Sequence, residues 1–176
     1  SPSVRGSTQF DVEFDEFTGS NDNSFGQGSK EDTPVPTPVT GSIPPNKSDL
    51  TAFGVYLEDQ GLGDRFLHLF WTRVQDPSGT TNMDFEFNQR GLRAGDLSAN
   101  GVTPIRSYQD MLIQYDLENG GTVPKLYLSF WLDGSGDETA ADCEASSKLP
   151  CWGKKSVLGG LATRSINTST SFLPFF

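Results

Sequence analysis

The sequence predicts an all-β protein, a β-sandwich of jelly-roll type with long irregular loops. Bulky apolar residues recur at every second position in several short runs, 19 Gly and 11 Pro punctuate the chain between them, and no stretch carries a convincing helical period. At 176 residues the chain has the length of one domain, so residues 1–176 are expected to share one core. Only 34% of residues are hydrophobic, yet 13 Phe, 3 Trp and 4 Tyr bury large areas each, so aromatic packing compensates for scarce aliphatics.

Residues 8–17 alternate Phe10, Val12 and Phe14 with Asp11, Glu13 and Asp15, the pattern of a half-buried strand with an acidic outer face. Residues 21–45 lack periodicity and carry Pro34, Pro36 and Pro38, which predicts a long surface loop wrapping the edge of the sandwich. An apolar run at 50–57 leads through the turn-rich residues 59–64 into the strongest strand signal, 65–75. There Leu67, Leu69 and Trp71 share one face and Phe66, Phe70 and Val74 the other, which predicts a central strand covered on both sides. The turn signal Asp76-Pro77-Ser78-Gly79 then joins it in a hairpin to residues 81–88, where Met83, Phe85 and Phe87 alternate with Asp84, Glu86 and Asn88. A second hairpin is predicted from residues 111–117 and 125–132 about the turn Glu118-Asn119-Gly120-Gly121, with Leu126, Leu128, Phe130 and Leu132 facing inward. The apolar residues 172–176 are expected to be buried.

Thirteen Lys plus Arg against 23 Asp plus Glu leave a net charge of −10 with no basic run, which argues against nucleic acid and anionic membrane surfaces as partners. No segment approaches the roughly 18 apolar residues of a membrane span, and the start Ser1-Pro2-Ser3 carries no signal-peptide core, so no membrane insertion is expected and any export signal has gone. The two cysteines, Cys143 and Cys151, are close enough in sequence to close a disulfide across a polar loop, and with the single His68 they make a poor zinc set. A disulfide favours an oxidising, extracellular setting. The sequons at Asn46 and Asn167 are possible glycosylation sites that arise easily in a Ser/Thr-rich chain.

Asp84 and Glu86 project from one strand face about 7 Å apart. They are a solvated face, a structural calcium site completed by Asp116, or the carboxylates of a jelly-roll glycosidase, in which one acid attacks and another protonates the leaving oxygen. Asn88 stands where a third acid is usual, which weakens the enzyme reading, and His68 lies inside an apolar strand with no nucleophile elbow nearby. No catalytic residue is assigned. Residues 133–153 read as a disulfide-clipped acidic loop in which Asp133 and Asp137 are further candidate calcium ligands. Tyr127 and Trp131, opposite Leu128 and Phe130, are candidate ligand-stacking aromatics, with a second core layer as the alternative role.

The blocks Asp22-Asn23-Ser24-Phe25-Gly26-Gln27-Gly28-Ser29-Lys30-Glu31-Asp32, Gly41-Ser42-Ile43-Pro44-Pro45-Asn46-Lys47-Ser48-Asp49-Leu50, the run from Phe70-Trp71-Thr72-Arg73 to Phe85-Glu86-Phe87-Asn88, and Cys151-Trp152-Gly153 together resemble an uncharacterised extracellular domain. That domain occurs in large bacterial surface proteins of actinobacterial type, followed by prealbumin-like or collagen-adhesin-type stalk repeats. The resemblance covers residues 22–167 and implies a secreted or wall-attached, adhesive or structural module, with no catalytic residues to transfer. The family domain continues with further strands beyond Ser165-Ile166-Asn167, where this chain has a short apolar end. An unpaired strand edge is the expected consequence, open to strand addition from another copy. The order of expectation is therefore a non-catalytic extracellular module binding a surface glycan or protein, then a filament subunit joined by shared strands, then a glycan-active enzyme using Asp84 and Glu86.

Overall fold

Alternating side chains of the predicted kind do form strands, and the computed structural model is all-β, consistent with the sandwich class. It describes residues 9–16, 22–25, 32–35, 38–41, 44–59, 65–75, 79–91, 93, 95–98, 101, 103–119, 123–158 and 162. Among these the strands are β1 (Gln9–Phe14), β2 (Asn23–Phe25), β3 (Pro38–Thr40), β4 (Leu50–Asp59), β5 (Arg65–Arg73), β6 (Thr81–Phe87), β7 (Met111–Glu118), β8 (Val123–Leu132), β9 (Cys151–Trp152) and β10 (Ser156–Val157). The one helical piece among the described residues is a 3-10 turn at Ala140–Asp142. Among the described residues no helix is long and apolar enough to cross a membrane. The expectations placed on residues 163–176, Asn167 among them, lie outside the described residues. The chain forms two compact units, Ser1–Asp76 and Pro77–Phe176.

In the first unit β1, β4 and β5 form an antiparallel sheet in that order. Directly paired residues point to the same side, so Val12, Gly54 and Phe70 share a face with Phe10, Tyr56 and His68 and with Phe14, Ala52 and Thr72. The other face carries Phe53, Val55, Leu57, Leu69 and Trp71, and Asp11 and Glu13 stand beside these apolar groups rather than on a purely acidic surface. Gly54 is buried because the Phe70 ring lies where its Cβ would be. Phe10 stacks on that ring with centroids 5.9 Å apart.

Three sequence expectations are corrected here. Among the described residues the strand at 65–75 is an edge strand of this sheet, with Phe66, Leu67 and Phe70 exposed, not a central strand covered on both sides. Nor does it form a hairpin with 81–88: β5 turns back onto β4, and β6 pairs with β7. Residues apolar on both faces fit an edge that awaits a partner as well as they fit a buried centre. The segment 21–45 also holds regular structure, a ladder pairing Asn23 with Thr40 and Phe25 with Pro38. The proline begins its strand, where a missing N–H is tolerated.

In the second unit the order is β10-β8-β7-β6, with β9 also paired to β8. The predicted hairpin is present, with Ile113 opposite Leu128 and Asp116 opposite Lys125. The burial differs in part from the expectation. Leu132 is inside as expected (5% exposed), but Trp131 (2%) and Ser129 (2%) from the opposite face are inside too, while Phe130, expected inward, is 37% exposed. The cause lies in the segment before β7, which folds across the end of β8: Trp131 N–H donates to the Asp110 carbonyl at 2.8 Å and Gln109 N–H to the Trp131 carbonyl at 2.9 Å. Leu112, Trp131 and Trp152 form one core cluster, and the two indoles meet edge to face at 5.2 Å. The disulfide joins Cys143 to Cys151, both buried beside Leu132, with Tyr108 and Leu149 packed around them.

Candidate functional site

One end of the β1-β4-β5 sheet gathers three aspartates. Asp15 follows β1 and Asp49 precedes β4, so antiparallel pairing brings the two to the same end, and Asp15 N–H continues the ladder to the Thr51 carbonyl at 3.2 Å. Asp49 is fixed from both sides: its N–H donates to the Pro45 carbonyl at 3.0 Å, and its carbonyl accepts from Val74 N–H at 3.0 Å. The register of β4 against β5 slips between Leu50 and Ala52, a bulge of the kind that re-aims side chains at the rim of a sheet. Asp22 precedes β2, and its carbonyl accepts from Gly41 N–H at 2.7 Å, extending the β2-β3 ladder.

One carboxylate oxygen from each of the three lies within 4.8 Å of the others. Asp22 is 1% exposed and Asp49 0%, whereas Asp15 is exposed and stands at the mouth. Both carboxylate oxygens of Asp22 are buried without a hydrogen-bond partner among the described residues. Burial, and then the charge of Asp22, raise the pKa of Asp15 above the usual carboxylate value, against the lowering effect of the Glu16 N–H bonded to it at 3.0 Å. Two ionised carboxylates within 4.8 Å repel by roughly 3.5 kcal/mol or more at an effective dielectric constant near 20. A divalent cation among them turns that repulsion into attraction. The donors are all oxygen, which suits hard cations and not the zinc or copper that nitrogen and sulfur ligands select.

The acids singled out from the sequence are placed otherwise. Glu86 is held by Arg106, whose Nε donates to Oε1 at 2.8 Å and Nη2 to Oε2 at 2.6 Å, while Asn88 Nδ2 donates to Oε1 at 2.7 Å. Asp116 accepts from Lys155 Nζ at 3.3 Å, and Asp84 lies opposite Gln114. Asp133 accepts from Ser135 N–H at 2.8 Å, and hydrogen bonds from Ser135 lower its pKa. Asp137 is exposed. Among the described residues none of these five joins a group of three that meets at one point. Tyr127 is half-buried with Lys155 Nζ 4.9 Å from its ring centre, and Trp131 is a core residue rather than a surface ring. Asn46 is exposed on the turn before β4.

Most of the exposed aromatics among the described residues lie on the first unit. Phe10, Phe14, Phe66 and Phe70 are 56%, 83%, 50% and 40% exposed on one face of the β1-β4-β5 sheet. Beside them Tyr56 packs on His68, whose Nε2 lies 2.9 Å from Glu58 Oε2. The sequence shows these residues plainly but assigns their face to a core. The chain matches no family model, no curated protein and no solved structure.

Proposed function

We propose that the protein is a non-catalytic module of an extracellular surface, adhesive or structural in role, which binds a surface glycan or protein through the aromatic face of its β1-β4-β5 sheet. The observation that carries this reading is the set of four phenylalanines, each at least 40% exposed, on one side of one sheet. Apolar surface gathered in this way marks an interaction site, because leaving it in water forfeits its burial. Flat rings beside a carboxylate and an imidazole suit the apolar faces and hydroxyls of a sugar, or the side chains of a protein. The Cys143–Cys151 disulfide favours an oxidising compartment, and the resemblance to bacterial surface domains with stalk repeats agrees with secretion or wall attachment.

A second reading, a filament joined by shared strands, is favoured by β5. Among the described residues it is hydrogen-bonded as a strand to β4 alone, and its Phe66, Leu67 and Phe70 are open to water.

Glycan-array and matrix-protein binding of the wild type and of the double variant Phe14→Ser/Phe66→Ser, with sedimentation at several concentrations, tests both. A ligand lost in the folded double variant supports the surface module. Oligomers that resist dilution support the filament. A monomer that binds nothing while folded, or a double variant that binds as the wild type does, counts against the aromatic face.

A further inference from the structure

We infer that Asp15, Asp22 and Asp49 form a calcium-binding site that ties the β2-β3 ladder to the β1-β4-β5 sheet. Three acids near one another are common on protein surfaces and need no ion. The burial of Asp22 is what separates this group from such clusters: its carboxylate is 1% exposed, and neither oxygen has a hydrogen-bond partner among the described residues. A carboxylate removed from water without a donor is costly, and the compensation available beside Asp15 and Asp49 is a cation.

Size and donor type select calcium. Oxygens bound to one calcium at about 2.4 Å can stand no more than about 4.8 Å apart, and the three carboxylate oxygens meet that limit. Three carboxylates supply three to six oxygens of the six to eight that calcium takes, with water completing the shell on the exposed Asp15 side. Magnesium demands a tighter octahedron and gives up its waters reluctantly.

The placement gives the ion a structural role. A two-stranded ladder of three residue pairs is marginal alone. Asp22 belongs to that ladder through its bond from Gly41 N–H, while Asp15 and Asp49 belong to the ends of β1 and β4. One ion therefore joins the end of β1, the start of β2 and the start of β4.

The test is calorimetric titration of the chelator-stripped full chain with Ca²⁺ and separately with Mg²⁺, with melting curves in parallel. The expected result is one Ca²⁺ per chain with a dissociation constant below about 1 mM, a melting temperature raised by Ca²⁺, and a much weaker Mg²⁺ response. Asp22→Asn is expected to lose affinity at least roughly tenfold, and without calcium to melt no lower than the stripped wild type, because a repelling charge has gone. If Asp22→Asn does not fold, Asp15→Asn at the exposed mouth is expected to show the same loss, and Asp133→Asn/Asp137→Asn to bind as the wild type does. A folded wild type without response up to about 10 mM Ca²⁺, an equal response to Mg²⁺, undiminished affinity in the folded Asp22→Asn or Asp15→Asn variant, or loss in Asp133→Asn/Asp137→Asn overturns the inference.

Discussion

Replacing Arg106 with alanine removes one side chain that holds together a strand carboxylate and two indoles. The guanidinium makes the two-pronged pair with Glu86 and lies 4.8 Å from the Trp131 ring centre and 5.1 Å from that of Trp152. Its side chain is 5% exposed and that of Glu86 26%, so salt screens the pair weakly. Removing one partner of a buried pair costs about 3–5 kcal/mol, and losing a desolvated cation–ring contact adds roughly 1–2 kcal/mol. Glu86 keeps some solvation and the Asn88 donor, which offsets part of this. The expected loss is about 4 kcal/mol, or around 10 °C in melting temperature for a chain of this size. Urea unfolding followed by tryptophan fluorescence reads it, since two of the three tryptophans flank the guanidinium. Arg106→Lys keeps the charge without the planar fork and should recover only part of the loss. A double-mutant cycle with Glu86→Ala should give a coupling of about 1–3 kcal/mol. A loss in Arg106→Ala below about 1 kcal/mol, or a coupling near zero, refutes the argument that this pair organises the second unit.

Reducing the disulfide, or replacing Cys143 and Cys151 together with serine, should cost about 2–3 kcal/mol from the entropy of the short loop it closes, readable as a shift in the denaturation midpoint. An unchanged midpoint would show that Tyr108 and Leu149 already fix the loop. Asp142 caps the 3-10 turn: backbone and then side-chain hydrogen bonds from Thr139 lower its pKa. A lowered folded pKa means that its contribution is complete above the ordinary carboxylate value and is lost as pH falls through the lower folded one. Carboxyl NMR titration should therefore place Asp142 below a typical aspartate, and Asp142→Asn should flatten the acid limb of the stability profile. A midpoint at or above the typical value contradicts the cap.

The two-residue rhythm made the strands legible, and the turn at Glu118-Asn119-Gly120-Gly121 made the β7-β8 pairing legible with them. Rhythm sorts side chains into two faces without saying which is covered. Leu126, Leu128, Phe130 and Leu132 looked like the inner set of β8, and Leu132 is buried, yet Phe130 is exposed while Arg106, Asp110 and Trp152 bury the Trp131 side. Nor does it name a partner: β5 and β6 flank a sound turn signal but pair away from each other. The carboxylate group was the least legible. Asp15, Asp22 and Asp49 share no local spacing, and each sits at a strand boundary where an aspartate is ordinary. The signal that could have found them is the antiparallel β1-β4 pairing, which brings the end of one strand to the start of the other.

Hydroxyl-radical footprinting of the dilute monomer measures most directly whether the aromatic face is a surface. Phe10, Phe14, Phe66 and Phe70 should be modified at rates typical of open rings, with Phe14 the fastest, and Trp131 should be protected. Protection of the four rings to the level of Trp131 would mean that the face is already covered within the chain, and the binding role built on it would fall.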